Sequence, residues 1–278
     1  MFAGRKLVIA TKHQKELVIA AALEESIGVK CFVPEDFDTD QFGTFCGEVE
    51  RKMSPLETAR LKCSAAMAAT GCDLSVSSEG SFGPHPSLVF IPADDELLVL
   101  IDKKNNLEIS VRELTTETNF TGTQVTSKDE LVEFALSVKF PSHGLIMTFT
   151  HNGVKETIKG IQDWELLLGA FDTHIHSVES INVETDMRAF CNPTRMGTIR
   201  KAVSKLIEKI KSVCPVCNTP GFGVTEVREG LPCSLCHCPT RSTLSHLYCC
   251  ERCKYEHVMH FPYGKMNEDP MYCDYCNP

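Results

Sequence analysis

The sequence predicts a mixed α/β domain, with a parallel start and antiparallel hairpins added later, followed by a small zinc-ribbon-like module. Three observations predict it. The chain opens as strand, helix, strand; a capped helix near residue 54 runs directly into a further strand; and four C-x-x-C pairs crowd into residues 214–278. The boundary falls at the end of a long helix, giving a 1–212 domain and a 213–278 module.

Lys6 to Ala10 is a mostly apolar run that reads as a strand, and the helix after it, KELVIAAALEESI, stops near Gly28. That helix is apolar over more than one face, which places it between the sheet and another layer. Lys30 to Val33 is a second strand, so the opening is a β-α-β unit with a parallel pair and a right-handed crossover. The acidic stretch Glu35 to Glu50 alternates Asp36, Asp38 and Asp40, but Gln41 and Gly47 stand where a calcium loop needs Gly and Glu. A solvated loop is the better reading. Ser54 then serves as N-cap, Pro55 as first helical residue and Glu57 as partner in an S-x-x-E capping box, with Gly71 as the stop. Asp73 to Ser77 follows as a short strand, with Glu79 at its carboxyl end and Gly80 behind it.

Leu97 to Asp102 and Leu107 to Leu114 flank Lys103-Lys104-Asn105-Asn106 as a hairpin, and Ser127 caps a helix reaching Lys139. Gly144 to Thr150 and Val154 to Ile158 join through Asn152-Gly153, a strong two-residue hairpin signal. Asp163 to Phe171 is helical. Asn192 to Val213 is a long helix with Asn192 as cap, Pro193 first, and Met196, Ile199, Val203, Leu206, Ile207, Ile210 and Val213 along one stripe. Arg195 falls in its first turn, where the helix dipole disfavours a cation. It calls for a compensating group, either Glu184 or Asp186 or else a bound anion or nucleobase.

Composition narrows the function. Residues 1–213 carry 23 Lys and Arg against 30 Asp and Glu, and residues 214–278 carry 5 against 7. Neither part has the basic excess that drives binding to a phosphate backbone, which argues against nucleic acid. The longest purely apolar run, Leu17 to Leu23, is far short of the ~20 residues of a membrane span. With no secretion signal apparent, the reading is a cytoplasmic chain whose cysteines are thiols or metal ligands.

The pairs Cys214/Cys217, Cys233/Cys236, Cys250/Cys253 and Cys273/Cys276 are the most specific chemical signal in the chain. Two such pairs complete a tetrahedral four-thiolate site, so four imply two zinc ions, structural because no coordination position stays open. Sequential pairing, first with second and third with fourth, leaves hairpin-sized spacers as in zinc ribbons, and nested or interleaved pairing is the alternative. Iron–sulfur ligation is the alternative for the same thiolates. Cys238, Cys249, His237, His246, His257 and His260 are spare donors, and His174 and His176 after Asp172 form a weaker second cluster.

In the larger domain, candidate chemistry gathers at strand ends. Thr11, His13 and Lys15 leave the first strand, Glu57 begins the central helix and Glu79 ends the strand after it. Carboxylates beside a lysine and a Thr/His turn suit Mg²⁺ and a polyphosphate, although Glu57 has a sufficient role as a cap and Lys15 as a solvated first-turn residue. The run ETARLKCSAAMAATGCDLSVSSEGSFG resembles a segment of the inosine/xanthosine triphosphate pyrophosphatase superfamily, in which an Ala-rich helix precedes a strand ending in an acidic, Gly-containing motif. IATKHQKE is similar to that family's opening turn, and NPTRMGTIRKAVSKL to its late Arg-bearing helix. The resemblance implies an elongated α/β fold and Mg²⁺-dependent hydrolysis of non-standard purine nucleoside triphosphates. It further implies that Thr11, Lys15 and the turn residue His13 contact phosphate, that Glu57 and Glu79 hold the metal and orient water, and that Arg195 faces the base. The cysteine-rich tail lies outside that superfamily, and the two halves together resemble an uncharacterised bacterial family. The expectation is a magnesium-dependent nucleotide pyrophosphohydrolase with a structural zinc module, and the alternative is a non-catalytic nucleotide-binding or adaptor protein whose zinc module meets a protein partner.

Overall fold

A computed structural model of the chain describes residues 1–11, 14–35, 37, 53–151, 154–178 and 180–278. The Asp36, Asp38 and Asp40 run, His13 and the Asn152-Gly153 turn lie outside the described residues. Residues 1–106 and 110–206 form one compact unit, and residues 107–109 and 207–278 form the other.

The first unit is built on two sheets. In the five-stranded one the order is β2 (Lys30–Phe32), β1 (Lys6–Ala10), β3 (Leu74–Pro84), β4 (Pro92–Asp102), β5 (Leu107–Thr115). β1 pairs in parallel with both β2 and β3, and β3 pairs antiparallel with β4. The parallel start and the added hairpins are therefore as the sequence predicts. Helix α1 (Lys15–Ile27) buries Lys15, Ile19 and Leu23, a single stripe at i, i+4, i+8, and leaves Leu17 65% exposed. The expectation that α1 is covered on more than one face is corrected by that exposure.

Helix α2 (Pro55–Thr70) starts with the full capping box: Ser54 Oγ accepts from the Glu57 N–H, and Glu57 Oε2 accepts from the Ser54 N–H at 3.0 Å. It ends at Gly71 with φ +69°, the left-handed conformation that glycine adopts without penalty. Cys63, Ala66 and Met67 of α2 pack on Val8 and Ala10 of β1. The strand after α2 is longer than the sequence predicts. β3 spans 11 residues and pairs with β4 without interruption from Leu74 to Pro84, so Glu79 sits mid-strand instead of at its end. Gly80 does not break the strand because its bare Cα is needed by neighbours: a Cβ there would lie 2.2 Å from Arg195 Nη2 and 2.6 Å from Glu96 Oε1.

The second sheet has the order β6 (Gly122–Val125), β9 (Ile181–Thr185), β7 (Leu145–His151), β8 (Val154–Ile161), all antiparallel. Helices α3 (Lys128–Ser137) and α4 (Trp164–His174) cover one face, packing Leu131, Ala135, Leu167 and Phe171 on Leu145, Met147, Phe149, Ile181 and Val183. Helix α5 (Pro193–Lys211) follows. The second unit carries the three-stranded antiparallel sheet β10 (Gly223–Glu229), β11 (Thr243–Cys249), β12 (Glu256–His260). No described helix is long and apolar enough to cross a membrane.

The capping box gives a direct check. Ser54→Ala removes the side-chain acceptor and the reciprocal bond, and urea unfolding should show a loss of about 1 kcal/mol.

Candidate functional site

The site follows from how far β3 outruns β1. Ala10 is level with Ser77, so Ser78–Pro84 continue beyond the carboxyl end of β1, the place where open α/β sheets bind ligands. Successive side chains alternate between faces there. On one face, Ser78 Oγ lies 3.2 Å from Thr11 Oγ1 and accepts from Lys15 Nζ at 3.2 Å. Glu96, opposite Gly80, lies on this face too, and Lys15 Nζ is 3.9 Å from its Oε2. Arg195 Nε donates to Glu96 Oε1 at 2.6 Å, its Nη1 donates to the Met187 carbonyl, and its guanidinium lies 4.9 Å over the Phe82 ring. Lys15 and Arg195 are 5% and 6% exposed. Burial, then the positive charge of Arg195, push the Lys15 ammonium down to about 8, with Glu96 and Glu79 pulling the other way. Lys15 is thus on the buried stripe of α1, and the reading of it as a solvated first-turn residue is corrected.

Glu79 belongs to the opposite face. Its Oε1 pairs with Lys62 Nζ at 2.5 Å, next to Ser77, whose hydroxyl donates to the Ala59 carbonyl of α2 at 2.8 Å. Glu57 is exposed at the start of α2 with its carboxylate on Ser54. The structure therefore brings Thr11, Lys15 and Arg195 together through Ser78 and Glu96. It places Glu79 with Lys62 across the sheet, still near enough to act on the Lys15 charge, and leaves Glu57 at a helix cap.

The first turn of α5 explains Arg195. Asn192 Oδ1 accepts from the Arg195 N–H at 3.0 Å, as a cap should. The compensating anion is Glu96, not Glu184 or Asp186; Asp186 is taken by Arg188 through its guanidinium and backbone N–H. His143 is a second cap: its Nε2 accepts from the Thr194 N–H at 3.3 Å, and its Nδ1 lies 3.0 Å from Ser142 Oγ. Burial, then Lys139, hold its pKa below the ordinary histidine value.

In the second unit the eight cysteines form two tetrads, Cys214, Cys217, Cys250 and Cys253, and Cys233, Cys236, Cys273 and Cys276, each with its sulfurs within 4.8 Å of one another. The pairing is interleaved: first with third, second with fourth. Each pair sits in the same tight turn. Asn218, His237, Lys254 and Asn277 donate their N–H groups to the carbonyls of Cys214, Cys233, Cys250 and Cys273, and the first three have φ of +55°, +61° and +58°. The Sγ···Sγ distances of 3.6 Å for Cys214–Cys253, 3.5 Å for Cys217–Cys250, 3.8 Å for Cys233–Cys276 and 3.5 Å for Cys236–Cys273 are too long for disulfides. They fit the ~3.8 Å edge of a tetrahedron with metal–sulfur bonds of about 2.3 Å, so the tetrads can bind two zinc ions. In the second tetrad the Cys236 N–H holds the Cys233 thiol down at about 7, while the hydrogen bond with the Cys236 thiol and then burial push Cys276 up to about 12. A cation among the four resolves that conflict. The spare donors stay outside both tetrads, and His174 stacks on Phe149 at 3.7 Å in place of joining a metal cluster.

Lys62, Asp94, Glu96 and His143 are the residues that sequence reading missed. Lys62 and Glu96 had a usable signal, each being a charge set next to a buried apolar stripe. Asp94 and His143 had none, since an acid near a strand start and a histidine in a loop look solvated.

A family model described as Domain of unknown function (DUF6671) matches residues 62–278. No curated protein matches. The crystal structure of protein VC0702 from Vibrio cholerae is similar at 13% identity over 41% of this chain, with a TM-score of 0.29. This chain spans 64% of that one, less than two thirds of its length.

Two measurements follow. Metal analysis should find two zinc ions per chain; Cys214→Ser with Cys250→Ser should leave one, and Cys214→Ser with Cys233→Ser none, whereas sequential pairing gives the reverse. Because the folded pKa of His143 is depressed, the unfolded chain binds the extra proton first as pH falls. Its contribution to stability should be complete above the ordinary histidine value and shrink below it, and Tm measured from pH 7.5 to 5 should fall less steeply in His143→Gln.

Proposed function

This chain belongs to the DUF6671 family, and from its own geometry we propose that the first unit handles a phosphorylated small molecule, acting as a Mg²⁺-dependent nucleotide pyrophosphohydrolase, with the second unit as its structural zinc module. One observation carries the reading: Lys15, Lys62 and Arg195, each less than a tenth exposed, are held beside carboxylates where β3 passes the end of β1. Charges kept out of water cost several kcal/mol apiece before their pairing is counted. A polyphosphate, with its many anionic oxygens, is a ligand that matches Lys15 and Arg195 on one face of β3, with Lys62 adding its charge from the other.

In this reading Lys15, Thr11 and Ser78 supply donors to phosphate oxygens, and Arg195, stacked on Phe82, presents a flat cationic surface suited to a base or a further phosphate. Glu79 orients water from the Lys62 side. A divalent cation, when bound, neutralises phosphate charge and favours in-line attack. Asp94 and Glu96 supply oxygen donors of the kind such an ion prefers.

A second reading, a non-catalytic nucleotide-binding or adaptor protein, is favoured by the pairing of both Glu79 and Glu96 with cations already in the chain. Incubating the zinc-loaded chain with inosine, xanthosine and canonical triphosphates plus Mg²⁺ or Mn²⁺ decides between them. Pyrophosphate release that disappears in a folded Glu79→Gln variant is expected. Nucleotide binding without release would hand the case to the second reading.

A further inference from the structure

We infer that Asp94 and Glu96 form a divalent-cation site on β4, distinct from the Glu57 and Glu79 to which the resemblance assigns the metal. The inference deepens the phosphate-handling reading and rests on it for the purpose of the ion, not for its binding.

Asp94 and Glu96 are two residues apart on one strand, opposite Phe82 and Gly80, and so project from the same face. Both are 0% exposed. Glu96 Oε1 accepts from Arg195 Nε, and its Oε2 lies 3.9 Å from Lys15 Nζ, an ionic attraction longer than a hydrogen bond. Asp94 is the outlier. Burial, then the charge of Glu96, push its pKa up to about 7, the Arg195 charge and the Thr198 hydroxyl only partly offset that, and neither carboxylate oxygen accepts a well-formed hydrogen bond. Arg195, whose charge acts on Asp94, is taken up by Glu96, the Met187 carbonyl and the Phe82 ring.

A buried carboxylate whose oxygens lack well-formed hydrogen bonds is a costly arrangement that native proteins rarely keep without a partner. A hard divalent cation is the partner that satisfies it, because such ions take carboxylate oxygens and need only one or two from protein, the rest coming from water or substrate phosphate. Glu57 and Glu79 lack this signature, their carboxylates being engaged by Ser54 and Lys62.

Mn²⁺ is the probe, added to zinc-loaded full-length protein and followed by the electron paramagnetic resonance signal of the free ion. The expected result is one bound Mn²⁺ that Mg²⁺ displaces, with affinity at least tenfold weaker in Asp94→Asn and unchanged in Glu79→Gln. No bound Mn²⁺, or binding lost in Glu79→Gln and kept in Asp94→Asn, overturns the inference even if pyrophosphate release is observed. Binding lost in Asp94→Asn with no pyrophosphate release from any nucleotide upholds the cation site and removes the hydrolase reading. Should Asp94→Asn fail to fold, paramagnetic broadening in the wild-type chain takes its place: amide signals of residues 94–96 and 80–82 are expected to vanish first. Broadening centred on Glu57 would refute the assignment.

Discussion

The contact between Arg195 and Glu96 is the constraint on which the first unit depends. It fastens the start of α5 to the middle of the five-stranded sheet, with the arginine 6% exposed and the glutamate fully buried. A cation in the first turn of a helix opposes the helix dipole, and its burial multiplies the cost. Glu96 offsets both. In turn the guanidinium needs room, which Gly80 gives by having no side chain on that face, and a flat support, which Phe82 gives two residues later. One ion pair therefore fixes the residue type at two further positions of β3.

The faces of β3 divide the charges. Serines 75 and 77 and Glu79 turn toward α2, where Lys62 answers the acid; Ser78 and Gly80 turn toward Lys15 and Arg195. The strand separates two ionic groups that still influence each other through space. Breaking either pair by removing one member costs ~3–5 kcal/mol in comparable buried settings, because the remaining charge is stranded.

Much of the architecture was legible because local chemistry and tertiary packing agree. Ser54, Asn192 and Gly71 act as the caps and stop that their residue types announce, and the β-α-β opening and the hairpin at residues 103–106 form as read. The second sheet was less legible. β9 does alternate buried Ile181, Val183 and Thr185, but over five residues that period is too short to stand out, and β6 has only Val125 inward. The length of β3 was hidden for a different reason: Gly80 and Gly83 look like breakers in sequence, and only the side chains that fill the space above Gly80 reveal why the strand continues. In the candidate site, Lys15 and Arg195 were visible from their positions next to a strand end and a helix cap. Asp94 was not, and Glu96 was marked only as a charge beside the apolar run of β4, because its partner Arg195 is 99 residues away.

The crossed arrangement of the tetrads couples metal capture to the length of the tail. Residues 214–249 contain halves of both centres and the whole of neither, so four thiolates enclose no ion until Cys250 and Cys253 are in place. By then Cys233 and Cys236 are already locked inside the loop that the first ion closes, waiting for ligands 37 or more residues further along. The module cannot be halved into independent fingers: its two tetrads are links in one chain, and a break anywhere between the outermost ligands opens at least one of them.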